Sequence, residues 1–385
     1  MSRVVASARV APLASKSVEG STALPRTATS GALHMLHHPD RRTTWVGLGV
    51  LRFKEPLGTD EPTLHDYLAS RLAAVQAALP LSAARIRGDR WVAGAPCRPE
   101  VVTSEDSIPA AVVRGFDLHR EPPLRVVAAA NGMWVTIALH HAAFDGSNVF
   151  TLFRIIAGHQ PRRVPRARTF ERRTVPPWSI LKRLLRPADP VVPSSPPPTT
   201  DTFVSVTLPL VGRDITTRLP DACVAATLDH CNRAGAPCRR VGLSLGLVAH
   251  SGDGDISTYR RIDARAGGSL RPAIERSLAA REEPWEIVHG TRLLRLAAPF
   301  VGRVSDTLLV SNFGRVEIPG LHALECYPVA RGRSALAFGA VRVSGGRSTL
   351  TLRARYLSPE DGRRILLGVI EHLTRSASQL PEGPK

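Results

Sequence analysis

Two hydrophobic periods alternate along the first half of the chain. Residues 45–53 (WVGLGVLRF) form a nearly unbroken apolar run, which predicts a strand buried over most of its length. Leu64, Tyr67, Leu68, Leu72, Val75 and Leu79 then recur at helical spacing, with Thr63 as N-cap and Pro80 as a stop. Short strands are expected over 84–86 and 90–93. Residues 124–129 and 133–140 predict a hairpin across Asn131-Gly132, a pair suited to the positive-φ turn that joins two twisted strands. A helix opens near Ser147, because Val149, Leu152, Phe153 and Ile156 fall at i, i+3, i+4 and i+7 on one face. His159-Gln160-Pro161 ends it.

The second half restarts with a strand over 203–210 and a helix over 221–234. Strands over 241–250 and 257–262 flank a Gly-Asp-Gly turn. Helices are expected over 269–281 and 285–297, and a short strand over 307–311. A hairpin over 335–343 and 348–356 turns at Ser344-Gly345-Gly346, and a last helix runs over 358–376 behind Ser358, Pro359, Glu360 and Asp361. Between the halves, residues 187–200 (PADPVVPSSPPPTT) are proline-rich and predict an extended, semi-rigid linker. The organisation read from this is a disordered N-terminus over 1–28, an N-terminal subdomain over 29–186, the linker over 187–200 and a C-terminal subdomain over 201–385. Each half mixes strands with helices, so the fold class is α+β.

Composition narrows the function classes. Apolar residues make up 43% and charged residues 22%, which excludes wholesale disorder. The longest apolar stretch, 126–139, is interrupted by Asn131 and falls short of the roughly 18–20 residues of a membrane span. The net charge of +18 comes from 51 basic and 33 acidic residues. Most of it is spread thinly and is not interleaved with aromatics, so nucleic acid is disfavoured as a partner. Residues 161–190 concentrate nine basic and two acidic residues around a short amphipathic piece starting at Trp178. That stretch reads either as a solvated linker or as a contact for coenzyme A phosphates, an acidic carrier protein or anionic lipid. The five cysteines are odd in number and lack CxxC spacing, which favours a reducing cytoplasm. His34, His37 and His38 have only Asp40 near them, so no metal site is expected.

The chemistry-bearing segment is 139–147, LHHAAFDGS. A strand delivers His140 and His141, whose side chains should face opposite ways, so only one can enter a given cleft. Gly146 suits a backbone shape that a Cβ would block, and Asp145 near a helix start can accept amide hydrogens or pair with an arginine. Two adjacent histidines at a strand end are often only polar exit residues. The whole pattern, His-His, three residues, Asp-Gly, between a hairpin and an amphipathic helix, is more specific. It resembles the HHxxxDG signature of the chloramphenicol acetyltransferase-like superfamily. That superfamily includes condensation domains, polyketide-associated acyltransferases and wax-ester-synthase-like enzymes. Asp263-Ala264-Arg265 resembles its Asp-x-Arg element, and Ser311-Asn312-Phe313-Gly314 its Ser-Asn-x-Gly segment. The resemblance covers about residues 40–377, although 385 residues is short for the group.

The resemblance implies two chloramphenicol-acetyltransferase-like subdomains, each a mixed sheet flanked by helices, with an active-site tunnel between them. It implies transfer of an acyl group from a thioester to a hydroxyl, with amide formation or non-catalytic carrier docking as alternatives. His141 corresponds to the general base. His140, Asp145 and Gly146 support the motif, Ser311 and Asn312 are oxyanion or tunnel candidates, and Asp263 and Arg265 are structural ion-pair candidates. No tightly bound cofactor is expected; acyl-CoA or acyl-phosphopantetheine serves as donor, and the acceptor is a small alcohol or amine. An acyl carrier protein is a candidate partner, peripheral membrane contact stays open, and a monomer is expected.

Overall fold

The computed structural model describes residues 24–37, 44–103, 108–144, 147–161, 171–174, 177–208, 215–251, 254–265, 270–279, 282–286, 303, 305–330 and 335–378. In chain order the first half holds β1 (Arg26–Thr27), α1 (Ser30–Leu36), β2 (Val46–Phe53), α2 (Leu64–Ala78), β3 (Ala84–Arg87), β4 (Arg90–Ala93), β5 (Pro99–Val102), α3 (Ala110–Val113), β6 (Leu124–Ala129), β7 (Trp134–His140), α4 (Ser147–Ile156), β8 (Glu171–Thr174) and α5 (Pro177–Leu185). The second half holds β9 (Thr202–Thr207), α6 (Ile215–Arg233), β10 (Arg240–Ser251), β11 (Gly254–Arg265), α7 (Arg271–Ala279), β12 (Glu282–Glu286), β13 (Leu308–Val316), β14 (Leu321–Tyr327), β15 (Leu336–Val343), β16 (Ser348–Ala354) and α8 (Pro359–Ser378). Among the described residues, no helix is long and apolar enough to cross a membrane.

Two mixed sheets carry the architecture. One has the order β14-β2-β7-β6-β5, the other β11-β10-β13-β15-β16-β9. The expected turns form where the sequence places them: Gly132 and Gly345 take φ of +68° and +69° between their paired strands. Thr63 Oγ1 accepts the Asp66 amide at 3.1 Å, and Ser358 Oγ accepts the Asp361 amide at 3.1 Å, so both hydroxyls cap their helices.

Several boundaries differ from the sequence reading. Residues 24–28, expected to be disordered, are placed: Arg26 pairs with Trp91, and just beyond them Thr29 Oγ1 caps α1. α6 begins at Ile215, six residues early, and carries Pro220 in its second turn, where the missing amide costs one helical bond. β13 runs on to Val316 through a register shift after Asn312. β14 has no counterpart in the sequence reading. It belongs by position to the second half, yet it pairs antiparallel with β2 in the first sheet. The helix expected over 285–297 lies outside the described residues apart from 285–286, which close β12. Residues 162–170 of the basic stretch also lie outside them.

The first sheet buries both faces. One face, with Leu51, Val135, Ile137 and Leu139, packs under α2 and α4; the other, with Val46, Leu48, Val50 and Ala138, packs under α3. Gly49 matters to the first face. A Cβ there would lie 2.2 Å from Phe153 Cζ, so its absence lets α4 settle onto the strand. A second core lies between the other sheet and helices α6 and α8, with Leu219, Cys223, Leu243, Phe338, Ile365 and Val369 inside it. Residues 187–200 run against this core: Asp189 N donates to Arg240 O at 2.9 Å, Ser194 N to Tyr356 O at 2.8 Å, and Val191 is buried.

The sheets meet where β14 lies across β15 and β16. Thr349 Oγ1 donates to the Leu324 carbonyl and Thr351 Oγ1 to the Cys326 carbonyl. Close approach is possible because residue 339 is glycine; a Cβ would lie 2.1 Å from Cys326 O.

Candidate functional site

The motif turn is wound around His140. Its carbonyl accepts the amides of Ala143 at 3.0 Å and Phe144 at 3.2 Å. Its ring Nδ1 lies 3.1 Å from the Ala142 amide, which can only donate, so Nδ1 is an unprotonated acceptor. The ring is 6% exposed and meets the edge of Phe116 at a centroid distance of 6.0 Å. Burial first, then the charges of His141 and Arg125, push the His140 pKa down to about 3. This histidine is therefore neutral and structural, on the α3 face of the sheet.

His141 follows the last residue of β7 and is half-buried. Its amide donates to the Trp45 carbonyl at 2.9 Å, which ties it to the entry of β2, where Val46 pairs with His140. His141 is the first residue of the turn that follows the strand. Asp145 and Gly146 lie outside the described residues.

The Ser-Asn-x-Gly segment sits within β13 and reaches the motif helix. Phe313 meets Phe150 of α4 at a ring-centroid distance of 5.8 Å, and Phe150 meets Phe153 at 5.9 Å. Ser311 is half-buried and packs over Gly246, where a Cβ would lie 2.3 Å from its hydroxyl. Asn312 is engaged locally: its amide donates to Thr216 Oγ1 at 3.4 Å and its oxygen accepts the Gly314 amide at 3.0 Å. The far end of α4 also docks on this segment's continuation, with His159 Nε2 2.9 Å from the Pro319 carbonyl.

The second element falls elsewhere. Asp263 pairs with Arg261 at 2.6 Å and Arg183 at 3.6 Å, and Arg261 reaches Asp306 at 3.2 Å. Arg265 is exposed at the end of β11, opposite Arg240. Asp263 is thus an ion-pair residue whose partners are Arg261 and Arg183, neither of which the motif marks.

Sequence reasoning missed the groups behind the motif: Trp45, Phe116, Asp201 and Arg353. Arg353 lies on β16, is 2% exposed, and donates Nε to Asp201 Oδ2 at 2.7 Å and Nη1 to the Val46 carbonyl. The signal present was a polar stripe, Thr349, Thr351, Arg353 and Arg355, alternating with Leu350, Leu352 and Ala354 on a strand buried on both sides. Beside it, a cavity of about 390 Å³ opens between the halves, lined by Arg52, Asp201, Phe203, Ser205, Glu325 and Tyr327. Glu325 is buried there and held by Arg52 and the Tyr327 hydroxyl, each at 2.7 Å.

No protein-family model matches the sequence, and no curated protein matches it. Solved structures do match across nearly the whole chain. The first condensation domain of the calcium-dependent antibiotic synthetase, in complex with a substrate analogue, aligns with a TM-score of 0.59 and 14% identity, over 93% of this chain and 98% of that one. A mutant starter condensation domain of rhizomide synthetase, in complex with C8-CoA and Leu-SNAC, aligns with a TM-score of 0.55 and 13% identity, over 92% and 94%. The condensation domain of the Monacolin K polyketide synthase aligns at 0.54 and 10%, over 92% and 97%. The chain has the two-subdomain, chloramphenicol-acetyltransferase-like fold of condensation domains.

Proposed function

We propose that this protein is an acyltransferase that moves an acyl group from a thioester to a hydroxyl, with His141 as general base. The observation that carries the reading is the division of labour at the end of β7. His140 is buried, neutral and occupied by the turn, while the half-buried His141 is held by its backbone amide on the Trp45 carbonyl, at the seam of two subdomains. The starter condensation domain bound to C8-CoA supports a thioester donor, either acyl-CoA or acyl-phosphopantetheine on a carrier protein.

In this reading the His141 imidazole takes the acceptor proton as the acceptor oxygen attacks the thioester carbonyl. The tetrahedral intermediate collapses by breaking the carbon–sulfur bond, and the departing thiolate takes the proton back from His141. The enzyme forms no covalent bond, so no serine or cysteine nucleophile is needed. That agrees with two of the cysteines: burial raises the thiol pKa of Cys97 to about 12 and pushes that of Cys326 up as well, leaving them as thiols. The developing oxyanion needs a donor, and Ser311 is the stronger candidate because the Asn312 amide is already engaged. Asp145 would hold the motif loop, and the segment over 187–200 would join the subdomains. A second reading, amide formation on an amine acceptor, is favoured by the peptide-synthetase condensation domains among the structural neighbours.

The test is His141→Ala assayed with a panel of acyl-CoA donors and alcohol and amine acceptors, read by mass spectrometry. Loss of the base should cost about 10²–10⁴ in rate with the fold intact. Near-normal turnover by the folded variant overturns the assignment, and the acceptor that gains mass decides between ester and amide.

A further inference from the structure

The backbone that receives His141 is bent against its preference. Trp45 has φ of +54°, in the left-handed region that residues with a Cβ rarely enter. Its carbonyl is the acceptor of the His141 amide at 2.9 Å. A conformation of this kind persists only where its surroundings over-determine it. Here one side chain from the other half of the molecule grips both flanking residues. Arg353 Nη1 donates to the Val46 carbonyl, and Nη2 donates to Thr44 Oγ1 at 3.2 Å.

The gripping group is itself fixed. Arg353 Nε and Nη2 each lie 2.7 Å from Asp201 Oδ2, and the Phe203 ring centroid lies 5.3 Å from the guanidinium carbon. A charge 2% exposed is costly to bury unless it is paired, so the position is no generic packing site. Only a planar fork can reach one carboxylate and two separate acceptors at once; an ammonium on the same stem cannot.

We infer that Arg353, anchored by Asp201, is a positioning residue. It clamps Thr44 and Val46 around the Trp45 bend and so fixes the carbonyl that sets the His141 backbone. The second subdomain thereby controls the geometry of a base carried by the first. The effect on rate rests on the acyl-transfer reading above; the clamp itself does not.

Two variants test it. Arg353→Lys keeps the charge and loses the fork, and Thr44→Val removes one contact while keeping the side chain's size. Amide hydrogen exchange at His141 reads the clamp without any turnover. That amide should exchange about tenfold faster or more in both variants, while amides of α8 in the second core keep their wild-type rates. In Arg353→Lys, kcat should fall about tenfold or more with the donor KM within about twofold, because positioning is lost and binding is kept. A wild-type exchange rate at His141 in both folded variants overturns the inference. If Arg353→Lys does not fold, Thr44→Val decides alone, and an unchanged His141 rate there overturns it. If exchange rises as expected while His141→Ala stays active, the clamp stands and the assignment of the base falls.

Discussion

Acid should weaken this protein through His140 in a way that one substitution can isolate. In the native state the ring is 6% exposed and accepts the Ala142 amide, and its pKa is pushed down to about 3, first by burial and then by His141 and Arg125. In the unfolded chain the same ring titrates near 6.5. Between those values the unfolded state binds a proton that the native state refuses. Stability therefore rises with pH through this window and is lost as pH falls from about 6.5 toward 3. The slope is about 1.4 kcal/mol per pH unit at full effect, and integration from pH 7 to pH 5 gives about 2 kcal/mol. The assay is urea unfolding at pH 7, 6 and 5 for the wild type and His140→Asn. The asparagine Oδ1 can stand where Nδ1 stands and accept the same amide, but it does not titrate. Every carboxylate is common to both proteins and cancels in the difference. The wild type should lose about 2 kcal/mol relative to the variant over this range. A difference constant to within about 0.5 kcal/mol would falsify the buried, neutral assignment, and with it the separate roles of the two histidines.

Two glycines give further tests. Gly49→Ala would place a Cβ 2.2 Å from Phe153 Cζ and should cost about 1–3 kcal/mol in thermal or chemical denaturation, with Phe153→Leu in the same chain recovering most of it. Gly246→Ala would place a Cβ 2.3 Å from Ser311 Oγ and should lower kcat as Ser311→Ala does. The double variant should then be no slower than either single one, whereas additive losses would show that the glycine acts independently of the hydroxyl.

Elements with turn or cap chemistry at their ends were legible in the sequence. The β6–β7 hairpin, α2 behind Thr63, the β15–β16 hairpin and α8 behind Ser358 fall within a residue or two of their expected bounds. β14 was not legible, because its residues are buried on both faces and Glu325 sits among them. Burial on both sides erases the alternation that marks a half-exposed strand. α1 was lost for a different reason: seven residues behind Thr29 are too short to show a helical period, and Trp91 and Ala28 stabilise the region through contacts distant in sequence. At the site, the two histidines at the end of β7 were readable because the hairpin that delivers them is marked by local turn chemistry. Their support was not, since Arg353 meets Val46 and Thr44 across 307 and 309 residues.

The polar stripe on β16 explains how so distant a group is aimed. Thr349, Thr351 and Arg353 are two residues apart, so they share one face of the strand, and they donate in turn to the carbonyls of Leu324, Cys326 and Val46. β14 is the edge of the first sheet, and an edge strand presents backbone groups that need partners. The threonine hydroxyls supply them, and leaving either carbonyl buried without a partner would cost about 1–3 kcal/mol. An apolar seam of the same area would tolerate sliding, because dispersion is indifferent to register. Three donors addressed to three acceptors do not, since a one-residue slip of β16 would turn the whole stripe to the opposite face. The register of β16 therefore fixes Val46, Val46 fixes the bend at Trp45, and that bend places His141. The geometry of the proposed base is set by a seam of hydroxyls and one guanidinium, more than by the strand that carries it.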